Sequence, residues 1–345
     1  MKNNKFLYFA LTLISLVITV YILKTLRAIF IPLTFAVFLQ FIFAPISRFL
    51  ERKRVPGFLN VLIIVILILI IFTGIGSVIY ASSSSFVTEY PKYEAKIISY
   101  IESIVIKFEV PAEEVSLYLK NKVNWFEIAD KLSLSNVVSG TMGNFINFII
   151  KLLLTVAFLV FIMTDRNKIF DRIGKVISQE KATHSKDVMK NIETQVKRYL
   201  VNKTIISFVT GLFGMLFVYL FGIDFVVISG FLLFILNYIP SLGSIVASAF
   251  PVIICFVQYG LGWKLVGISI ALGSLQTVMG NFVEPKLMGT ELNLSPLIIL
   301  ISLIFWFWVW GPIGMLLAIP ITSALALIIK EIDSLKLISA MISSK

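Results

Sequence analysis

The sequence predicts an all-α fold: a polytopic integral membrane protein with about eight hydrophobic helical segments, or six spans plus two re-entrant hairpins, and an amphipathic extracytoplasmic helical insert. Three observations predict it. Of 345 residues, 58% are hydrophobic and 14% charged, and the mean hydropathy is +0.97, far more apolar than an ordinary soluble domain. Apolar runs of about 20 residues recur, each long enough as a helix to cross a hydrocarbon core of about 30 Å. The formal charge of +11 falls in short segments beside those runs, as positive-inside bias requires, so membrane orientation accounts for it and a nucleic-acid partner is not implied.

The first run, residues 6–23, follows Lys2 and Lys5 in the manner of a signal peptide. It lacks an Ala-x-Ala-like exit and meets Lys24 and Arg27, so a retained helix is expected. The second, 28–46, leads into RFLERKRVPG, whose Arg48, Arg52, Lys53 and Arg54 belong in the cytoplasm. A third, 58–80, crosses outward and ends at the serines 82–85; residues 1–81 are thus N-terminal scaffold helices. Residues 82–141 form the extracytoplasmic segment, with Ile97, Ile98, Ile101, Ile104, Val105 and Phe108 at helical spacing. Pro91 and Pro111 predict the openings of successive amphipathic helices lying on the membrane surface or on a neighbour. Residues 142–203 comprise an inward span and a basic cytoplasmic loop with ten basic against five acidic residues between 165 and 203. In that loop Val188, Ile192, Val196 and Tyr199 mark an amphipathic helix with a solvated basic face.

Residues 204–330 read as a C-terminal unit with two broken helical pairs, followed by a cytoplasmic tail at 331–345. A span over 204–222 precedes a pair centred on NYIPSLGS, and a span over 263–283 precedes one centred on WGPIG. Tyr238, Pro240, Gly243 and Pro251 punctuate the first pair; Trp310, Gly311, Pro312, Gly314 and Pro320 punctuate the second at similar spacing. Proline removes a backbone donor and glycine admits unusual dihedrals, so each break frees backbone groups that hydrocarbon cannot satisfy. Such backbone survives at membrane depth where protein buries it or a wet cavity meets it, which points to a transport pathway. Each pair returns to its starting side, so the two units have opposite orientation, as inverted repeats require for alternating access; two generic helical hairpins are the plainer reading.

Between the second span and the second pair stands NFVEPKLMGTELNLSP. If Pro285 breaks the helix in a cavity, Glu284 would bind a proton or sodium ion and Lys286 would neutralise it in one conformation. In the headgroup region the two form a solvated pair. Asn281 lies one turn before Glu284 on the same helical face, and Gly289 and Pro296 complete the disturbance. Asn237 and Ser241 flank the first break, and Gln276 lies within the span over 263–283; these would contact substrate or bond another helix, the commoner use. The run FWFWVW would stack a cyclic ligand or, more in keeping with tryptophan at a helix end, anchor the membrane interface.

Other chemistry is absent from the sequence. One cysteine and one histidine make neither an internal disulfide nor a clustered metal site, and no P-loop, His-Glu-x-x-His or Gly-x-Ser-x-Gly is present. No cofactor, metal or catalytic residue is expected, and any energy for transport comes from gradients.

The motifs YIPSLG, then VEPKLMG with LSP behind it, then GPIGMLLAIP, together resemble the autoinducer-2 exporter family, with looser similarity at RFLERKRVPG and DRNKIFDRI. The resemblance carries the family pattern onto Tyr238, Pro240, Gly243, Glu284, Pro285, Lys286, Gly289 and Pro296. It implies a multi-pass transporter of the bacterial inner membrane with cytoplasmic ends, a homo-oligomer among membrane lipids, moving a small polar solute or signalling molecule. Sodium (or other monovalent cation)/proton antiport, also linked to the family, is the alternative. A non-transporting membrane scaffold is a third reading.

Overall fold

The structure, a computed structural model, describes residues 2–106, 141–176, 179–240, 242–288 and 294–330. Among these the chain is helical: α1 (Lys2–Thr25), α2 (Arg27–Arg52), α3 (Gly57–Ile106), α4 (Thr141–Val176), α5 (Gln179–Leu220), α6 (Val226–Leu236) and α7 (Leu242–Tyr259). There follow α8 (Trp263–Val278), a π-helical turn (Met279–Val283), α9 (Glu284–Met288), α10 (Pro296–Trp310) and α11 (Pro312–Lys330). Seven described helices are long and apolar enough to cross a membrane, and Ala10–Thr25, Val226–Leu236 and Pro296–Trp310 are shorter apolar helices. Two of the seven, α7 and α11, are arms of the hairpins α6–α7 and α10–α11, and the polytopic all-α class expected from hydropathy is the class observed.

Two differences from the sequence reading concern where helices end. The serines at 82–85 and Pro91 do not interrupt α3, which runs for 50 residues, so no new helix opens at Pro91. At about 75 Å it is more than twice the thickness of a hydrocarbon core. A polar stretch ends a hydrophobic run without ending a helix, because the backbone ladder stays satisfied in water as in lipid. The second amphipathic helix, at Pro111, and the tail at 331–345 lie outside the described residues. Likewise the basic loop is mostly helix, since α4 continues to Val176 and α5 begins at Gln179.

The chain divides into two compact units. One comprises Met1–Val65, Ile149–Thr204 and Met288–Lys345. In it α1 packs on α2 and α10, and α10 packs along α11. The indole N–H of Trp310 donates to the Leu23 carbonyl at 3.0 Å, and that of Trp306 to Thr322 Oγ1 at 3.1 Å. Both rings are buried. These two tryptophans therefore tie helices together instead of anchoring an interface: an indole N–H withdrawn from water needs an acceptor, and the neighbouring helices supply it. Trp308 alone of the run's three keeps an exposed ring, with the Lys24 ammonium 3.9 Å from its centre.

The other unit comprises Ile66–Phe148 and Ile205–Leu287. Val218, Ile223, Leu233, Ala247, Ile268 and Leu272 form the centre of its core, all essentially inaccessible. The outer part of α3 binds the base of the α6–α7 hairpin: Tyr93 donates to the Asp224 carboxylate, and the Lys96 ammonium to the Gln258 carbonyl. The Tyr100 ring stacks on Phe256, 5.7 Å between centres.

Candidate functional site

The α6–α7 hairpin turns within a few residues. The Tyr238 and Ile239 amides bond the carbonyls of Ile235 and Leu236, at 3.3 and 2.9 Å, tightening the last turn of α6. Pro240 has no amide with which to continue, and Leu242 N–H bonds the Pro240 carbonyl at 2.6 Å. Gly243 then lies on α6 itself. A Cβ there would overlap the Leu236 carbonyl and stand 3.1 Å from Ile239 Cβ. At the far end the hairpin closes on itself: Tyr259 Oη donates to the Gly222 carbonyl at 2.6 Å, and the Asp224 amide to Gln258 Oε1 at 3.0 Å. Start and finish thus lie at one level, so this pair returns to the side from which it came. The first arm, α6, has 11 residues and rises about 16 Å, half a hydrocarbon core.

The α10–α11 hairpin repeats the device with different residues. Ser295 caps α10, its Oγ accepting from the Ile298 amide at 3.3 Å, and Pro296 occupies the first turn. The Leu-Ser-Pro motif is therefore a helix start. Gly311 ends the arm at φ 67° and ψ −151°, a conformation open only to glycine, and Pro312 opens α11. A Cβ at Gly314 would overlap the Trp306 carbonyl and approach Trp310 Cβ at 2.9 Å. In both hairpins a glycine lets the second arm seat directly on main chain of the first, and a buried proline follows within that arm, Pro251 in α7 and Pro320 in α11.

The α8–α9 element explains its own sequence. Pro285 lacks an amide and its ring crowds the carbonyl four residues back, so the ladder widens ahead of it: the Glu284 amide bonds the Met279 carbonyl, five residues away. The helix passes through Pro285 as a π turn and does not break there. Gly289, like Ser241 at the first break, lies outside the described residues. Asn281, within the π turn, is exposed, and Glu284 directly after it is half-buried. Trp263–Leu287 is one of the helices long and apolar enough to cross a membrane, and Glu284 and exposed Lys286 fall in its last turn.

The two amides singled out in the sequence are both engaged between helices. Asn237, buried, donates from Nδ2 to Ser207 Oγ on α5 at 3.0 Å; Gln276 Nε2 lies 3.4 Å from Ser248 Oγ on α7. Asn237→Ala is expected to lower stability by about 0.6 kcal/mol, the usual worth of an interhelical bond in a membrane, as read by the midpoint of thermal unfolding in detergent.

Three polar residues escaped the sequence reading. Ser229 on α6 and Ser323 on α11 are buried hydroxyls with no protein partner, one on each hairpin. Lys203, counted above with a solvated basic face, is 1% exposed. The signal was the spacing: Val196, Tyr199, Lys203, Ile206 and Thr210 alternate by three and four along α5, and all are buried.

A sequence profile describing AI-2E family transporters matches residues 12–334, which include both hairpins and the π turn. The chain belongs to the AI-2E transporter family. It is 27% identical over 320 residues to the AI-2 transport protein TqsA of Escherichia coli K12, covering 91% of this chain and 89% of that protein. Candidate transport proteins of Haemophilus influenzae and Borreliella burgdorferi are each 28% identical, over 96% and 92% of this chain and 95% and 86% of their own lengths. AI-2E membership and the apolar helices make this a multi-pass bacterial membrane protein, and the family consists of transport proteins.

Proposed function

We propose that the chain is a secondary transporter that carries a small polar solute or signalling molecule across the bacterial inner membrane by alternating access. The observation that carries this reading is the paired hairpin: two short helical arms, each reversing at a non-helical break and each seated by glycine on bare main chain. Positive-inside accounting gives the hairpins opposite orientation, the arrangement of inverted-repeat transporters. Within each hairpin taken by itself, backbone groups at the break and one buried hydroxyl without a protein partner, Ser229 in α6 and Ser323 in α11, are polar groups that a solute would engage in place of water. The name of TqsA suggests AI-2 as the first solute to try.

The test is flux in proteoliposomes that contain the full chain and are loaded with AI-2 or small polyols. Saturable release that protein-free vesicles lack is expected; vesicles sealed to every solute would overturn the reading. A second reading, cation/proton antiport, draws on Glu284, half-buried directly after the π turn. It requires pH-dependent sodium flux in the same vesicles, lost in Glu284→Gln while assembly is retained.

A further inference from the structure

We propose that a cavity among α2, α3, α4 and α5 in the first unit binds an anionic phospholipid whose headgroup carries hydroxyls. The cavity measures about 1400 Å³, larger than a small solute needs. Its lining has two chemistries. Arg48 on α2 and Lys190, Lys197 and Arg198 on α5 contribute four cations against the carboxylates of Glu51 and Glu193, so an anion is favoured. Phe58, Leu62 and Val65 on α3, Val160 and Met163 on α4 and Val201 on α5 make the other wall, and Phe58 and Leu62 are exposed. A free phosphate ester would satisfy the cations but leave that wall wet; a phospholipid satisfies both, its phosphate on the basic side and an acyl chain along the aliphatic one.

An independent observation bears on the headgroup. Asn60 lines the same cavity at 3% exposure. Its Nδ2 donates to Ser47 Oγ at 2.9 Å, whereas its Oδ1 is buried with no protein partner. A buried acceptor left over calls for a donor, and a phosphodiester has none. The hydroxyls of a glycerol headgroup provide one. Location agrees: the cavity borders the Arg48–Arg54 cluster, the end that positive-inside bias assigns to the cytoplasmic headgroup layer, where basic pockets between helices take anionic lipid.

The experiment is native mass spectrometry of the full chain in detergent, titrated with phosphatidylglycerol, with phosphatidylcholine and phosphatidylmethanol of the same acyl chains, and with glycerophosphoglycerol. Phosphatidylglycerol should be retained about tenfold more tightly than phosphatidylcholine, and the Arg48→Gln/Arg198→Gln double variant should narrow this to about twofold. Both arginines are exposed, so their replacement leaves the packing intact and they decide the charge assignment. Asn60→Ala should abolish the preference for phosphatidylglycerol over phosphatidylmethanol, a phosphodiester of the same charge without a headgroup hydroxyl, while sparing that over phosphatidylcholine. No discrimination by the natural chain, or discrimination kept by the double variant, overturns the site. Displacement of the lipid by equimolar glycerophosphoglycerol overturns the lipid assignment in favour of a soluble phosphate ligand. A preference for phosphatidylglycerol over phosphatidylmethanol that is unchanged in Asn60→Ala overturns the role of the hydroxyls.

Discussion

Gly243→Val and Gly314→Val are each expected to lower thermal stability by about 3 kcal/mol or more and to abolish transport. Seldom is a glycine so tightly bound by backbone: a Cβ at Gly243 overlaps the Leu236 carbonyl oxygen, and one at Gly314 overlaps that of Trp306. A flexible side chain could swing aside at small cost, but a carbonyl fixed in a helix moves only with its arm. The hairpin must therefore open at its turn. Gly273 on α8 is the control, because nothing lies within 4 Å of a Cβ added there. Gly273→Ala should raise stability by about 0.5–1 kcal/mol, the ordinary benefit of alanine over glycine within a helix. Melting midpoints in one detergent, read beside flux, test all three. Equal effects at the three positions would mean that arm-to-arm seating does not hold the hairpins.

What the sequence made legible follows from the kind of constraint each residue meets. Hydrocarbon forbids unsatisfied backbone, so the spans and the two breaks are written in composition and in Pro-Gly punctuation, and the hairpins stand where YIPSLG and GPIG placed them. Helix continuity is less visible. Serines 82–85 changed the polarity of α3 without altering its ladder, and Pro285 bent the ladder into a π turn without ending it. Proline fixes one dihedral and deletes one donor; whether a helix stops or widens depends on what the neighbouring turns pack against, which a local motif does not contain. The tryptophans were misread for a similar reason. A tryptophan at a helix end is an anchor by frequency, yet the ring of Trp310 is buried beside the Leu23 carbonyl, a partner 287 residues away in sequence.

Lys203 gives the second large effect. It continues the buried stripe of α5 and is followed one turn later, on the same face, by Ser207, the partner of Asn237 at the first break. An ionisable side chain at 1% exposure in an apolar span is retained against a desolvation cost of several kcal/mol, and such residues are usually part of a pathway for solute or ions. Lys203→Met keeps the length and most of the volume of the side chain and deletes its charge. It is expected to lower flux by at least about tenfold, while Lys203→Arg, which keeps the charge in a bulkier head, retains a measurable fraction. Melting midpoints separate the two roles open to the lysine. If the charge only balances a neighbour within the fold, its removal costs about 3–5 kcal/mol and the protein is lost from the membrane along with its flux. If the charge serves the pathway, Lys203→Met assembles and melts near the natural chain yet fails to transport. Full flux in a well-folded Lys203→Met would remove this residue from the proposed transport pathway.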